Sequence, residues 1–124
     1  MTYEELWGKF IEANPSYKDK DYSAYNYEDD EIQKILSGEK NNEYSLYDSY
    51  VCDGEPLPII GDVAVIMDLE DNAICVIEDT NIALKPINTI PNNKWLYDEA
   101  KELGLNITDE SVVVLEKFKV VFKG

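Results

Sequence analysis

The chain contains no histidine and no arginine. The first absence excludes a histidine general base, a Ser-His-Asp triad and imidazole metal ligation. The second leaves lysine as the only side-chain cation available to neutralise phosphate. Cysteine is scarce too: Cys52 and Cys75 are too few for a disulfide scaffold and show no metal-type spacing. Cys75, inside the apolar run Ala73 to Ile77, reads as a buried thiol, and Cys52 reads as a residue of a polar loop. No apolar run reaches the length of a membrane span, and no signal-type apolar stretch opens the chain. The expected location is therefore cytoplasmic, without a membrane partner.

The charge is one-sided. Twenty-six acidic residues against 11 lysines give a net charge of −15. Such a surface repels polyanions at long range, so long nucleic acid is not an expected partner. The 124 residues suit a single domain spanning positions 1–124, and 44% hydrophobic residues suffice to build a core.

Local signals place three helices. Thr2 and Glu5 form a capping-box pattern, and Tyr3, Leu6, Trp7, Phe10 and Ala13 recur at helical spacing until Asn14-Pro15. Residues 16 to 29 read as an ordered loop pinned by Tyr17, Tyr22, Tyr25 and Tyr27. A short helix follows from about Asp30 to Ser37, with Ile32, Ile35 and Leu36 inward and Gly38 after its end. The third runs from Asn93 to Leu103, with Trp95, Leu96, Ala100 and Leu103 on one side.

The remainder reads as sheet. Glu43 to Val51 is one expected strand. Asp62 to Leu69 and Asn72 to Leu84 form a hairpin through Glu70-Asp71. In the last strand, Ser111 to Phe122, the residues Val112, Val114, Phe118, Val120 and Phe122 alternate onto one face, with Lys117 and Lys119 on the other. Glu116 falls on the apolar face and needs a partner there, for which Lys40 is the candidate. This pattern suits a small barrel with helices at its ends or side, or an open antiparallel sheet covered on one face.

Several motifs recur in a recognisable order. Ile35-Leu36-Ser37-Gly38-Glu39-Lys40 precedes Ser45-Leu46-Tyr47; then come Gly54-Glu55-Pro56-Leu57-Pro58 and Gly61-Asp62-Val63-Ala64-Val65-Ile66-Met67-Asp68. Ala73-Ile74-Cys75-Val76-Ile77 and the run Val113 to Phe122 follow. Together they resemble the ASCH family, whose pattern is a helix ending in G-x-K-x-A-T-x-S, a P-x-x-G-D turn into a hairpin, and a last strand like V-V-C-E-x-F-x-V-V-Y. The opening Leu6-Trp7 with Phe10 and Asn14-Pro15 is similar to the longer members. The resemblance covers most of residues 3 to 87 and 107 to 122.

What it implies is an α+β domain: a small PUA-like, ASCH-type β-barrel with about three flanking helices. Proteins of this kind are linked to RNA. Some short members resemble amidohydrolases that deacetylate N4-acetylcytidine with a lysine and a threonine of the G-x-K-x-x-T segment and a glutamate from a later loop. Here Lys40 matches the lysine and Ser45 the serine, while Glu43 occupies the threonine position and offers no hydroxyl nucleophile. The E-G-E-G-D segment and W-R-x-x-H helix of longer members are missing between Pro86 and Ile107; Asp98, Glu99 and Glu102 are the carboxylates available to replace the glutamate.

The expected function is recognition of a nucleoside or short RNA element in a barrel cleft, through Lys40, Ser45, Tyr44, Tyr47 and Glu116, without a full catalytic set. Seven of the nine tyrosines fall between positions 17 and 50, and Tyr44 and Tyr47 flank the family motif as candidates for base stacking. The alternatives are an amidohydrolase acting on an acylated nucleobase, with Lys40 and Glu43 as its catalytic pair, and a protein-interaction module. No cofactor and no metal ion is expected.

Overall fold

The first helix, α1 (Tyr3–Ala13), begins with the expected reciprocal cap: the Glu5 N–H donates to the Thr2 hydroxyl at 3.1 Å, and the Thr2 N–H donates to the Glu5 carboxylate at 3.4 Å. Leu6, Trp7 and Phe10 point inward from it, while Tyr3 and Ala13 stay exposed. The remaining elements are β1 (Tyr22–Asn26), α2 (Asp29–Ser37), β2 (Asn42–Leu46), α3 (Tyr47–Asp53), β3 (Val63–Met67), β4 (Ala73–Pro86), α4 (Lys94–Glu102) and β5 (Val112–Lys123), with 3-10 turns at Pro15–Tyr17 and Ile87–Thr89. The structure is a computed structural model and describes residues 1–124. The strands are hydrogen-bonded in the order β1-β3-β4-β5-β2. The chain is α+β, as expected, with four α-helices. No helix is long and apolar enough to cross a membrane.

The chain divides into two compact units. The first comprises Met1–Asn41, Ile60–Thr80 and Phe118–Gly124; the second comprises Asn42–Ile59 and Asn81–Lys117.

In the first unit, β3 pairs antiparallel with β4, from Val63 opposite Glu78 to Met67 opposite Ala73, with a register shift between Ile66 and Met67. All five β3 residues are buried, so both faces of this strand are covered. Leu6, Trp7, Phe10, Val63, Val65, Met67 and Val76 form one core cluster. Ile32 and Ile35 of α2 pack with Ala64, Ile66, Cys75, Ile77 and Phe118 in another. Asp71, at φ 65, makes the hairpin turn, and the Asp68 carboxylate accepts the N–H groups of Glu70 and Asn72, each at 2.9 Å. Residues 22–26 are a strand rather than part of a loop: β1 pairs in parallel with β3, Tyr22 opposite Val63.

In the second unit, β2 and β5 pair antiparallel, from Asn42 opposite Lys117 to Leu46 opposite Val113. Leu46, Ile87, Ile90, Leu96, Ala100 and Val113 form its core. The strand expected over 43–51 is cut short, because residues 47–53 turn into α3. That helix ends at Gly54, whose φ of 66 suits a left-handed cap. Trp95 and Leu103 do not join the buried side of α4; they are 46% and 56% exposed, and Leu96 and Ala100 carry the packing.

The one-faced alternation expected for β5 also fails. Val113 and Leu115 are buried beside Val114, whereas Val112 is exposed. Both faces of this strand meet packing partners along its first half, so its pattern follows the local neighbours rather than one interior. Its end is anchored: the Gly124 N–H donates to the Ile74 carbonyl at 2.9 Å.

Candidate functional site

Lys40 owes its position to the end of α2. Gly38 adopts φ 85, which turns the chain out of the helix, and the Lys40 N–H closes back onto the Lys34 carbonyl at 2.9 Å. The Asn41 carbonyl then accepts the Phe118 N–H of β5 at 2.9 Å. The backbone is thus tied on both sides of the lysine. Its ammonium lies 3.7 Å from the carboxylate of Glu31, in the first turn of α2, and 5.8 Å from the centroid of the Tyr27 ring. Both contacts are of the half-exposed kind, worth about 1 kcal/mol or less each.

Lys40 lines a cleft of about 420 Å³ in the first unit. Ile35, Leu36, Phe118 and Val120 give it an apolar floor, and Lys119 and Lys123 line it as well, with Ser37 and Asn41 as polar neighbours. No carboxylate is among the lining residues. The cleft runs along the part of β5 beyond Lys117, where the ladder with β2 ends.

The other expected site residues belong to the second unit. Glu43, Tyr44 and Ser45 follow one another on β2, opposite Glu116, Leu115 and Val114 of β5. Successive strand residues point to opposite faces, so Glu43 and Ser45 share a face with Glu116, and Tyr44 points away from them. Tyr44 packs against the Leu46 and Leu96 cluster, half buried. Tyr47 opens α3 and is also half buried. The Ser45 hydroxyl lies 2.8 Å from the Tyr50 hydroxyl, and Tyr50 donates a long bond, 3.5 Å, to the Glu116 carboxylate. Either hydroxyl of the Ser45–Tyr50 pair can donate, whereas in the contact with Glu116 the phenol is the donor. The structure therefore brings Ser45 and Glu116 together through Tyr50.

Of the carboxylates proposed to replace the family glutamate, Asp98 pairs with Lys94 at 3.1 Å on the exposed side of α4, and Glu99 and Glu102 are exposed. Tyr27, Glu31, Tyr50, Lys119 and Lys123 are contributors that sequence patterns did not single out for a site. A helical reading of residues 47–53 is the one signal that brings Tyr50 back toward Ser45.

The comparisons with known proteins agree with this architecture. The family model of the ASCH domain matches residues 20–96, more than half of the chain, and the chain belongs to the ASCH domain family. An ASCH domain from Lactobacillus crispatus JV V101 is similar at 24% identity, with a TM-score of 0.80 over 96% of this chain and 93% of that one. Protein EF3133 from Enterococcus faecalis V583 superposes with a TM-score of 0.81 at 19% identity, over 97% of this chain and 88% of that one. A mutant of the Zymomonas mobilis ASCH protein is more distant, with a TM-score of 0.55 at 14% identity, over 82% of this chain and 69% of that one. At these identities the likeness is one of fold, and it bears out the ASCH-type, PUA-like fold class. No curated protein matches the chain in sequence.

Proposed function

We propose that this ASCH domain recognises a nucleoside or a short RNA element, in the cleft that Lys40 lines. The observation that carries this reading is the pairing of an apolar floor, Ile35, Leu36, Phe118 and Val120, with a lysine held by backbone bonds at its edge. A flat, largely apolar base with a polar sugar needs such a surface: dispersion and desolvation for the ring, and a few fixed polar groups for orientation. The volume of about 420 Å³ falls in the range of small-ligand sites. The net charge of −15 argues against extended RNA, because few phosphates are neutralised by an acidic surface.

The test is a binding titration with the four ribonucleosides, short oligoribonucleotides and a long RNA at physiological salt. Saturable binding of a nucleoside or oligonucleotide, weakened in Lys40→Ala, is the expected result, with long RNA gaining nothing from its length. Sub-micromolar, salt-sensitive binding to generic long RNA would overturn the reading.

A further inference from the structure

We infer that the cleft beside Lys40 selects a ligand carrying a terminal phosphate, such as a nucleoside monophosphate or the phosphorylated end of a short RNA, over the neutral nucleoside. The inference rests on the reading of the cleft as a nucleoside site. It adds the charge class of the ligand.

The starting point is a local inversion of charge. Acidic residues outnumber lysines 26 to 11 in the chain. Along this cleft the count reverses: Lys40, Lys119 and Lys123 line it, and no aspartate or glutamate does. Glu31, 3.7 Å from Lys40, offsets one of the three. The remaining excess faces a concave wall with an apolar floor, which focuses the potential of the lysines and strengthens their pull on an anion. A neutral nucleoside gains little from such a field. A terminal phosphate carries between one and a half and two negative charges near neutral pH, roughly, and three acceptor oxygens. An internal phosphodiester carries a single charge, so an end is favoured over the middle of a strand.

The cleft lysines lie where the strand loses a neighbour. β2 stops pairing opposite Lys117, so β5 residues 119 to 123 continue past the end of that ladder. The two β5 lysines sit four residues apart, roughly 13 Å along the strand, and both line the cleft. Val120, next to Lys119, packs in the same cluster as Ile35 and Leu36. Lysine on a strand edge also discourages pairing with another chain. That second role predicts a different outcome for the same variants, so the two separate by experiment.

The experiment is calorimetric titration of the whole chain with cytidine, uridine, adenosine and guanosine, their 5′-monophosphates, and inorganic phosphate, at low and at physiological salt. At low salt the best monophosphate is expected to bind at least about tenfold tighter than its nucleoside, the scale of one added charge-assisted contact. That advantage shrinks as salt is added. Lys119→Gln and Lys123→Gln are expected to erase it, whereas Lys9→Gln and Lys101→Gln, exposed on α1 and α4, retain it. Equal affinity for nucleoside and monophosphate would overturn the inference and leave the nucleoside reading standing. Phosphate binding that is indifferent to the presence of a base would sink the nucleoside reading and keep the anion site. Self-association of Lys119→Gln or Lys123→Gln with an unchanged monophosphate advantage would assign those lysines to edge protection and overturn the inference. Absence of binding to every compound would remove both.

Discussion

The ring of Tyr22 lies stacked on that of Trp7, with centroids 4.1 Å apart and planes 17° from parallel. This contact fastens β1, at the edge of the sheet, to α1. Tyr3 approaches the same tyrosine edge-on at 6.2 Å, and Phe10 leans against Trp7 at 5.3 Å. Trp7→Ala is expected to destabilise the chain by about 3–5 kcal/mol, as for other buried aromatic truncations. Tyr22→Leu keeps most of the apolar volume and loses the stacking, for an expected cost of about 0.5–1.5 kcal/mol. Urea denaturation of both variants measures the difference, and equal costs would show that the stack adds nothing beyond burial.

The hairpin turn makes stability sensitive to acid. Hydrogen bonds from the Asn72 backbone and side chain, and then from the Glu70 backbone, hold the Asp68 carboxyl below its ordinary value of 3.8. The folded chain therefore favours the carboxylate. Its contribution is present above the ordinary value and is lost as pH falls through the lower folded value. In Asp68→Asn the acid limb of the urea midpoint, followed from about pH 5 down to about pH 2, is expected to flatten. An unchanged acid limb would place the sensitivity elsewhere.

Alkali acts through a different pair. Tyr17 donates to the Glu78 carboxylate at 2.8 Å, and that bond, followed by burial and the Glu78 charge, raises the phenol above its ordinary value of 10.0. A raised folded value favours the protonated form. The contribution is complete below the unfolded value and disappears as pH rises through the folded one. Tyr17→Phe is expected to lower stability at neutral pH and to remove part of the loss above pH 10. The urea midpoint across pH 8 to 11.5 reads both effects.

The two thiols should differ sharply in reactivity. Cys75 is fully buried, and burial pushes its thiol up to about 11. Cys52 sits exposed on α3. Since the thiolate is the reactive species, one equivalent of iodoacetamide is expected to label the native chain at Cys52, with Cys75 labelled only in denaturant. Two equivalents taken up at similar rates under native conditions would contradict the burial of Cys75.

Local chemistry carried much of the fold. The capping box of α1, the Gly38 stop of α2 and the Asp68 to Asn72 turn act over a few residues, and each is readable from the chain. Elements decided by distant partners were not. Tyr22 to Asn26 alternates only weakly and is rich in polar residues; it is a strand because β3 offers it a parallel edge. Tyr47 to Asp53 carries tyrosine and valine, which favour strands, and no side chain caps its start. Its helical turn nonetheless sets Tyr50 beside Ser45. The candidate site shows the same division. Lys40 and Ser45 stand out through a family pattern, whereas Lys119 and Lys123 acquire meaning only once β5 is seen to outrun β2.

The chemistry of the second unit leads to the last prediction, that the chain releases no cytidine from N4-acetylcytidine beyond the uncatalysed rate. Amide hydrolysis needs a nucleophile and a group to move its proton. Where the family pattern has threonine, this chain has Glu43, and its register partner is Glu116. Two facing carboxylates accept hydrogen bonds and supply no hydroxyl. The hydroxyl on the same face, that of Ser45, is hydrogen-bonded to Tyr50 at 2.8 Å, and the bond from Tyr50 to the Glu116 carboxylate is long, 3.5 Å. Asp98, one of the three helical carboxylates available as a substitute, is held by Lys94 on an exposed face. Incubation followed by chromatography checks the outcome. Robust cytidine production that vanishes in Lys40→Ala would show that the lysine works without the threonine, and would make the amidohydrolase reading the leading one.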